Sequence, residues 1–584
     1  SMTLSLVAVF LPVLLMGGVI GRLFREFAIT LSVAILLSGV IAMFFTPVVC
    51  ARLIRPSRRP AHPSKPPGFL TRLYLLTLRP VTAFPLLFVL AGVATVFWTV
   101  QEFLATPKGF VPADDQNRLV VQTRVKAGTS YTRMRQAHES LHEILDQHPA
   151  VEHHATLLGV NEFNQSPDQG CILVELRPQS MRGFIQRVRD SLTELLNSNP
   201  LIMARIVQPP SLPLATTLYP ASLQYTLRGV DRAEVDACSE SLVQAMLASG
   251  TFDNLPGNPD IGGQAIRVVV DGRMCGLLGI DPGEVNRTLQ AAYAGDQTGT
   301  VYDKNGSRKL VISADSRYQQ HLGQLGFLQV QARNGALVQL RQVASFETVR
   351  RPARVDHVNR YQSRTLSFDP APGVPTEEAI ARVRAISEQI LAAHPAIQGG
   401  VDGVALEYSA VSTGFPALLL FAVLVIYLIL GILYESFVHP VTVISGLPSA
   451  CLGGLLILRH FGLELDLYAF LGLLLLLGIV KKNAIMVIDF ALEQCRAGVP
   501  ARLAVTEACA VRLRPILMTT LAAIVGALPI ALGWGAGAES RKPMGLVVVG
   551  GLVLSQLVTL YLTPAVFLCL SRLEKIRVRA KAQP

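Results

Sequence analysis

The stretch 478-GIVKKNAIMVIDFALEQC-495 decides how this chain is read. It continues the apolar run 467-LYAFLGLLLLL-477 without a turn signal, yet it carries Lys481, Lys482 and Asp489. If the span ends at Val480, the lysines are ordinary anchors at a membrane edge and Asp489 sits on a short interfacial helix. If 465–492 is one helix, Lys482 stands roughly 25 Å from one end and roughly 15 Å from the other. A lysine that deep does not reach water comfortably. Its charge costs at least about 2.5–3.5 kcal/mol and calls for a carboxylate or a water-filled path. Asp489 lies seven residues on, two turns away on the same face, too far to be that carboxylate.

Composition makes the membrane the solvent. The 584 residues are 51% hydrophobic and 16% charged, with mean hydropathy +0.42; soluble chains carry about a quarter charged residues. Eight apolar stretches, near 3–21, 27–50, 81–104, 412–434, 440–459, 465–492, 515–537 and 544–570, are long enough to span a bilayer. Residues 105–410 hold 29 basic against 31 acidic residues, so the remainder supplies all of the +11 net charge. The excess sits in 51–80, 493–514 and 571–584. Placing those regions in the cytoplasm satisfies the positive-inside rule and puts 105–410 outside, in the periplasm of a bacterium. Topology therefore accounts for the basic pI, and nucleic-acid binding is not expected. The eight cysteines show no paired or metal-ligand spacing. The opening SMTLSLVAVF has no basic n-region, so no signal peptide is read and the start is expected to be a cut.

A shift of 517 residues lays 3–55 on 520–572 without a gap, with 13 of 53 positions identical. Leu11-Pro12 falls on Leu528-Pro529, and Ser38, Thr46-Pro47 and Arg55 fall on Ser555, Thr563-Pro564 and Arg572. This reads as a duplication whose first copy is represented only by its last two spans. A partner for the chain is therefore expected in an upstream half of the same protein, the copies being parallel about an axis along the membrane normal. The domain organisation expected is spans in 1–55, a basic linker 56–80, a span 81–104, the outside domain 105–410, five spans in 411–572 and a basic tail 573–584.

The outside domain reads as mixed α/β. RLVVQTRVK (118–126), a helix over 130–148, HHATLLGV, CILVELRP, a helix near 181–197 and LIMARIVQ give the split βαβ order. A second such sandwich follows, interrupted by an insertion at about 262–355. The fold class is thus a polytopic helical membrane protein with a large α/β domain of ferredoxin-like βαβ sandwiches. Enzymatic chemistry is not indicated: adjacent His153 and His154 on a strand point to opposite faces and read as surface residues. GNPDIGGQ (257–264) lacks the P-loop lysine and reads as a turn.

The strings YESFVHP (434–440), GIVKKNAIMVIDFAL (478–492), RLRPILMTTLA (512–522) and RLFREFAITL (22–31) resemble the resistance-nodulation-division drug exporters, over the whole chain. Within their hydrophobe/amphiphile branch the likeness is greatest to MdtB/MdtC-type inner-membrane subunits. The resemblance implies twelve spans in the complete protein, eight of them here. It implies export of amphiphilic compounds driven by the proton gradient, with no cofactor. The implied assembly is a trimer of one or two kinds of subunit with a periplasmic adaptor (membrane fusion) protein and an outer-membrane channel. By this resemblance Lys482, Arg512 and Thr519 form a proton relay with two aspartates of a fourth span that this chain does not carry. Arg512 read without it is a cytoplasmic flank. Asp489 is a secondary polar contact, and Phe163 and Leu173 stand where the family's drug pocket has aromatics. Two other readings are a heavy-metal exporter on the same scaffold, which would want close methionine pairs, and a non-transporting truncated or assembly subunit.

Overall fold

The computed structural model describes the chain apart from residues 1–2, 4–5, 8, 15–16, 54–67, 110–114, 126–128, 130, 161–164, 199–201, 210–222, 254, 256–262, 305, 316–321, 352–354, 372, 536 and 582–584. Two compact units result: Ser1–Arg124 with Arg135–Gly257 and Asp356–Pro584, and Val125–Met134 with Asn258–Val355.

The first unit begins with α1 (Gly18–Leu53), α2 (Phe69–Ala83) and α3 (Pro85–Ala105). Helix α2 occupies sequence expected to be linker. Its buried face, Thr71, Tyr74, Leu78 and Val81, recurs every three or four residues, and the Tyr74 hydroxyl donates to the Leu560 carbonyl at 2.7 Å. Next come β1 (Arg118–Val125), α4 (Tyr131–Gln147), β2 (Val151–Val160), β3 (Gln165–Leu176), α5 (Ile185–Leu196) and β4 (Ile202–Val207). The sheet order is β2-β3-β1-β4. Leu119, Val121, Ile172 and Val174 are buried, whereas Leu173, paired with Val120 and Ala155, is 42% exposed. His153 is exposed as expected. His154 is not a free surface residue: its Nε2 lies 2.7 Å from His142 Nδ1 on α4, and His142 Nε2 meets Thr156 Oγ1 at 2.9 Å.

A second sheet contains β5 (Leu223–Gly229), β6 (Tyr361–Pro370) and β7 (Gln398–Asp402), with α6 (Arg232–Ser249) and α7 (Thr376–Leu391) supplying its core partners. Strand β7 runs straight into α8 (Gly403–Tyr434), where the Asp402 carboxylate accepts from the Gly403 N–H at 2.8 Å. The sheet is therefore covalently continuous with a membrane helix. The chain then forms α9 (His439–Ile444), α10 (Leu447–His460), α11 (Leu467–Arg496), α12 (Ala501–Ala531) and α13 (Lys542–Lys581). Helix α11 is a single 30-residue element, which excludes a break at Val480. The Asp466 carboxylate caps it by accepting from the Ala469 N–H at 2.7 Å.

Among the described residues seven helical segments are long and apolar enough to cross a membrane: Phe24–Leu53, Pro85–Ala105, Gly414–Tyr434, His439–His460, Leu467–Arg496, Ala501–Ala531 and Lys542–Ser571. The expected stretch 3–21 is only partly described and includes the helix Leu11–Leu14. Helices α1 and α13, related by the repeat, carry internal prolines at the matching positions Pro47 and Pro564. Helices α10 and α13 touch backbone to backbone: a Cβ on Gly453 would lie 2.5 Å from the Gly550 carbonyl oxygen. Small residues allow such an approach where no hydrophobic force drives helices together.

The second unit pairs Gly263–Val270 with Ala344–Arg351 and carries a hairpin, Asp296–Asp303 with Gly306–Ile312. Val301, Tyr302, Leu310, Val311 and Ile312 of that hairpin are all more than half exposed. Residues 257–262 of the glycine-rich segment lie outside the described residues.

Candidate functional site in the membrane helices

Helices α11 and α12 follow one another through the short connection 497–500, so they pack antiparallel. Two contacts fix their register. Asn483 Nδ2 donates to Thr520 Oγ1 at 3.2 Å, and the Arg512 guanidinium lies 5.5 Å from the centre of the Phe490 ring. Lys482 adjoins Asn483 and Thr519 adjoins Thr520, so Lys482 and Thr519 stand at one level. Asp489 and Arg512 stand at a second level, about 10 Å away along the axis.

The side chains at these levels differ in surroundings. Lys482 and Thr519 are exposed on the helix surface, and the Thr519 hydroxyl donates to the Ile516 carbonyl at 3.1 Å. Lys481 is the buried lysine, at 1% exposure. The burial expected at Lys482 falls instead on its neighbour. Because α11 is apolar on every side, hydropathy alone leaves its rotation open, and packing turns Lys481 inward. Arg512 is half-buried, and its Nε has no hydrogen-bond partner among the described residues. Arg514 points elsewhere: its Nη2 would lie 2.6 Å from a Cβ on Gly68, at the start of α2.

Asp489 has a partner that sequence reading missed. The Tyr434 hydroxyl, at the end of α8, donates to Asp489 Oδ1 at 2.6 Å, joining two of the sequence strings singled out above. Behind the Lys482 face, Thr520 Oγ1 donates to Gln556 Oε1 of α13 at 2.6 Å, and Asn483 Nδ2 reaches the same oxygen at 3.3 Å. A glutamine inside the apolar stretch 544–570 was the available signal for this cluster. Of the residues suggested for a drug pocket, Leu173 is on an exposed sheet position, and Phe163 lies outside the described residues. Chemically, the two-helix face offers an amine and a hydroxyl at one level, with a guanidinium and a carboxyl at the next. Such a set can hold an acidic group brought to it and respond to that group's protonation.

The fold and this face define a polytopic membrane protein with a large soluble α/β portion and ionisable groups within its spans. The family model described as the AcrB/AcrD/AcrF family matches residues 1–571, and the chain belongs to that family of resistance-nodulation-division transporters. It is 37% identical over 98% of its length to the multidrug resistance protein MdtC of Erwinia tasmaniensis, of which it covers 56%. It is 35% identical to the MdtC of Cronobacter sakazakii, over 100% of this chain and 57% of the relative. With the Pectobacterium carotovorum MdtC the identity is 36% over 99% of the chain and 57% of the relative. The chain thus spans a little over half the length of these curated relatives. The family's members are transporters and not enzymes.

Proposed function

We propose that this chain is part of the inner-membrane subunit of a tripartite pump that exports amphiphilic compounds in exchange for protons. The observation that carries this reading is the common level of Lys482 and Thr519 on an exposed two-helix face, with Arg512 one level away. An ammonium placed there in hydrocarbon is stable only against a carboxylate or water. In this proposal the carboxylates come from the part of the relatives' length that this chain does not span, packed on the same face. Protonating a carboxylate weakens its hold on Lys482, and α11 and α12 shift. Helix α8 transmits the movement, since Tyr434 grips Asp489 at one end and β7 begins its other end. The soluble sheets serve as ferredoxin-like porter modules in the periplasm. The exposed apolar hairpin 296–312 supports assembly with further subunits, in a trimer that engages a periplasmic adaptor and an outer-membrane channel.

The test is drug susceptibility in a pump-deficient host supplied with the protein at the full length of its relatives. Lys482→Ala abolishes resistance at unchanged membrane abundance. Full resistance in that variant removes the relay from the mechanism.

A further inference from the structure

A polar cluster lies immediately behind the proposed relay face. Asn483, Thr520 and Gln556 come from α11, α12 and α13 and are each at least nine-tenths buried. Gln556 Oε1 gathers both neighbours, and Gln556 Nε2 has no hydrogen-bond partner among the described residues. Consecutive helix residues are turned by about 100° from one another. Holding Asn483 and Thr520 inward therefore fixes Lys482 and Thr519 outward. Thr520 does this through an interhelical bond to α13, whereas Thr519 bonds within its own helix.

The internal repeat supplies a comparison within the same molecule. The 517-residue shift lays Thr3 on Thr520 and Gly39 on Gln556. Gly39 indeed lies against Thr3, where a Cβ would meet Thr3 Cγ2 at 3.0 Å. The same two positions are thus apposed in both copies, but only the second has an amide between them. Packing of this helix pair does not require the glutamine. The copy that carries it is the copy with Lys482 and Thr519.

We propose that Asn483, Thr520 and Gln556 are positioning residues that lock the rotation of α11 and α12 against α13, so that Lys482 and Thr519 turn toward their acidic partner as one unit. This rests on the proton-coupled reading above. The cluster makes no contact with the transported proton in this scheme; it sets where the amine and hydroxyl stand.

The experiment measures substrate-driven proton flux against pH in proteoliposomes holding the full-length protein. It compares Thr520→Val, which keeps the volume and loses the hydroxyl, with Thr520→Ser, which keeps the hydroxyl and loses a methyl. The positioning role predicts about a tenfold loss of flux and a displaced pH profile in Thr520→Val, with Thr520→Ser close to wild type in both. A pure packing role predicts the reverse order and an unmoved profile, and overturns the proposal. Gln556→Gly, which restores the first copy's residue, must reproduce the Thr520→Val behaviour; a wild-type profile there also overturns it. Absence of flux in the wild-type protein itself is the separate failure of the proton-coupled reading. In that case protease mapping of α11 and α12 decides the rotational lock, which predicts altered cleavage in Thr520→Val and not in Thr520→Ser.

Discussion

Acid should loosen the first α/β sheet through one residue, His138. Its ring is 1% exposed on α4, with Nε2 2.8 Å from Thr123 Oγ1 on β1. Gly170 of β3 comes so close that a Cβ there would lie 2.9 Å from the same nitrogen. Burial, with the neighbouring His142 adding to it, pushes the imidazole down to about 4, against 6.5 in the unfolded chain. Above pH 6.5 both states are neutral and the shift has no effect. As pH falls from 6.5 toward 4, the unfolded chain binds a proton that the folded ring refuses, and stability is lost. Each unit is worth about 1.36 kcal/mol, so the full loss is about 3 kcal/mol and is complete below pH 4. The assay is hydrogen-exchange protection of the β1 and α4 amides in detergent, corrected for intrinsic exchange at each pH. His138→Gln, which cannot titrate, should lose about 2.5 kcal/mol less protection than wild type between pH 7.5 and 4.5. Equal pH slopes in the two proteins would show that His138 is not the acid-sensitive group, since all other titrating groups are shared.

Three further outcomes follow from particular contacts. Arg182 and Asp115 form a buried pair, Nη2 to Oδ1 at 2.5 Å, with Asn117 Oδ1 at 2.7 Å. Asp115→Ala should destabilise this region by about 3–5 kcal/mol by stranding the cation, and Asp115→Leu with Arg182→Met by much less, as read by denaturant titration. Gly550→Ala puts a Cβ 2.7 Å from the Gly453 carbonyl oxygen, so α10 and α13 must part; a cost of about 1–3 kcal/mol should appear as a lower Tm in detergent. Tyr434→Phe removes the bond to Asp489 and should cost about 1–3 kcal/mol by the same assay, with Asp489→Leu in that background adding little.

How much of this was legible in the sequence depended on whether the pattern had a phase. The single helix through Lys482 was half legible: the long apolar run allowed it, but Lys481-Lys482 fitted a span ending at Val480 equally well. The order of β1 to β4 was readable because alternation and helical spacing differ sharply there. The rotation of α11 was not readable: a helix apolar all round has no stripe to orient, so which of Lys481 and Lys482 turns inward is settled only by tertiary packing. Helix α2 was hidden by Arg72, Arg79 and Pro80, which mimic a linker although Tyr74, Leu78 and Val81 keep a helical period. The bonds of Tyr434 to Asp489, and of Gln556 to Thr520, join residues 55 and 36 positions apart. A polar residue in an apolar span, such as Gln556, signals that a partner is needed, but spacing does not name the partner.

The most direct measurement is proton flux in proteoliposomes containing the full-length protein and an imposed pH gradient, before and after addition of an amphiphilic substrate. If Lys482 belongs to the proton relay, substrate accelerates collapse of the gradient in the wild-type protein and Lys482→Ala stays at the passive leak rate. Substrate-driven flux in Lys482→Ala equal to wild type would contradict that role.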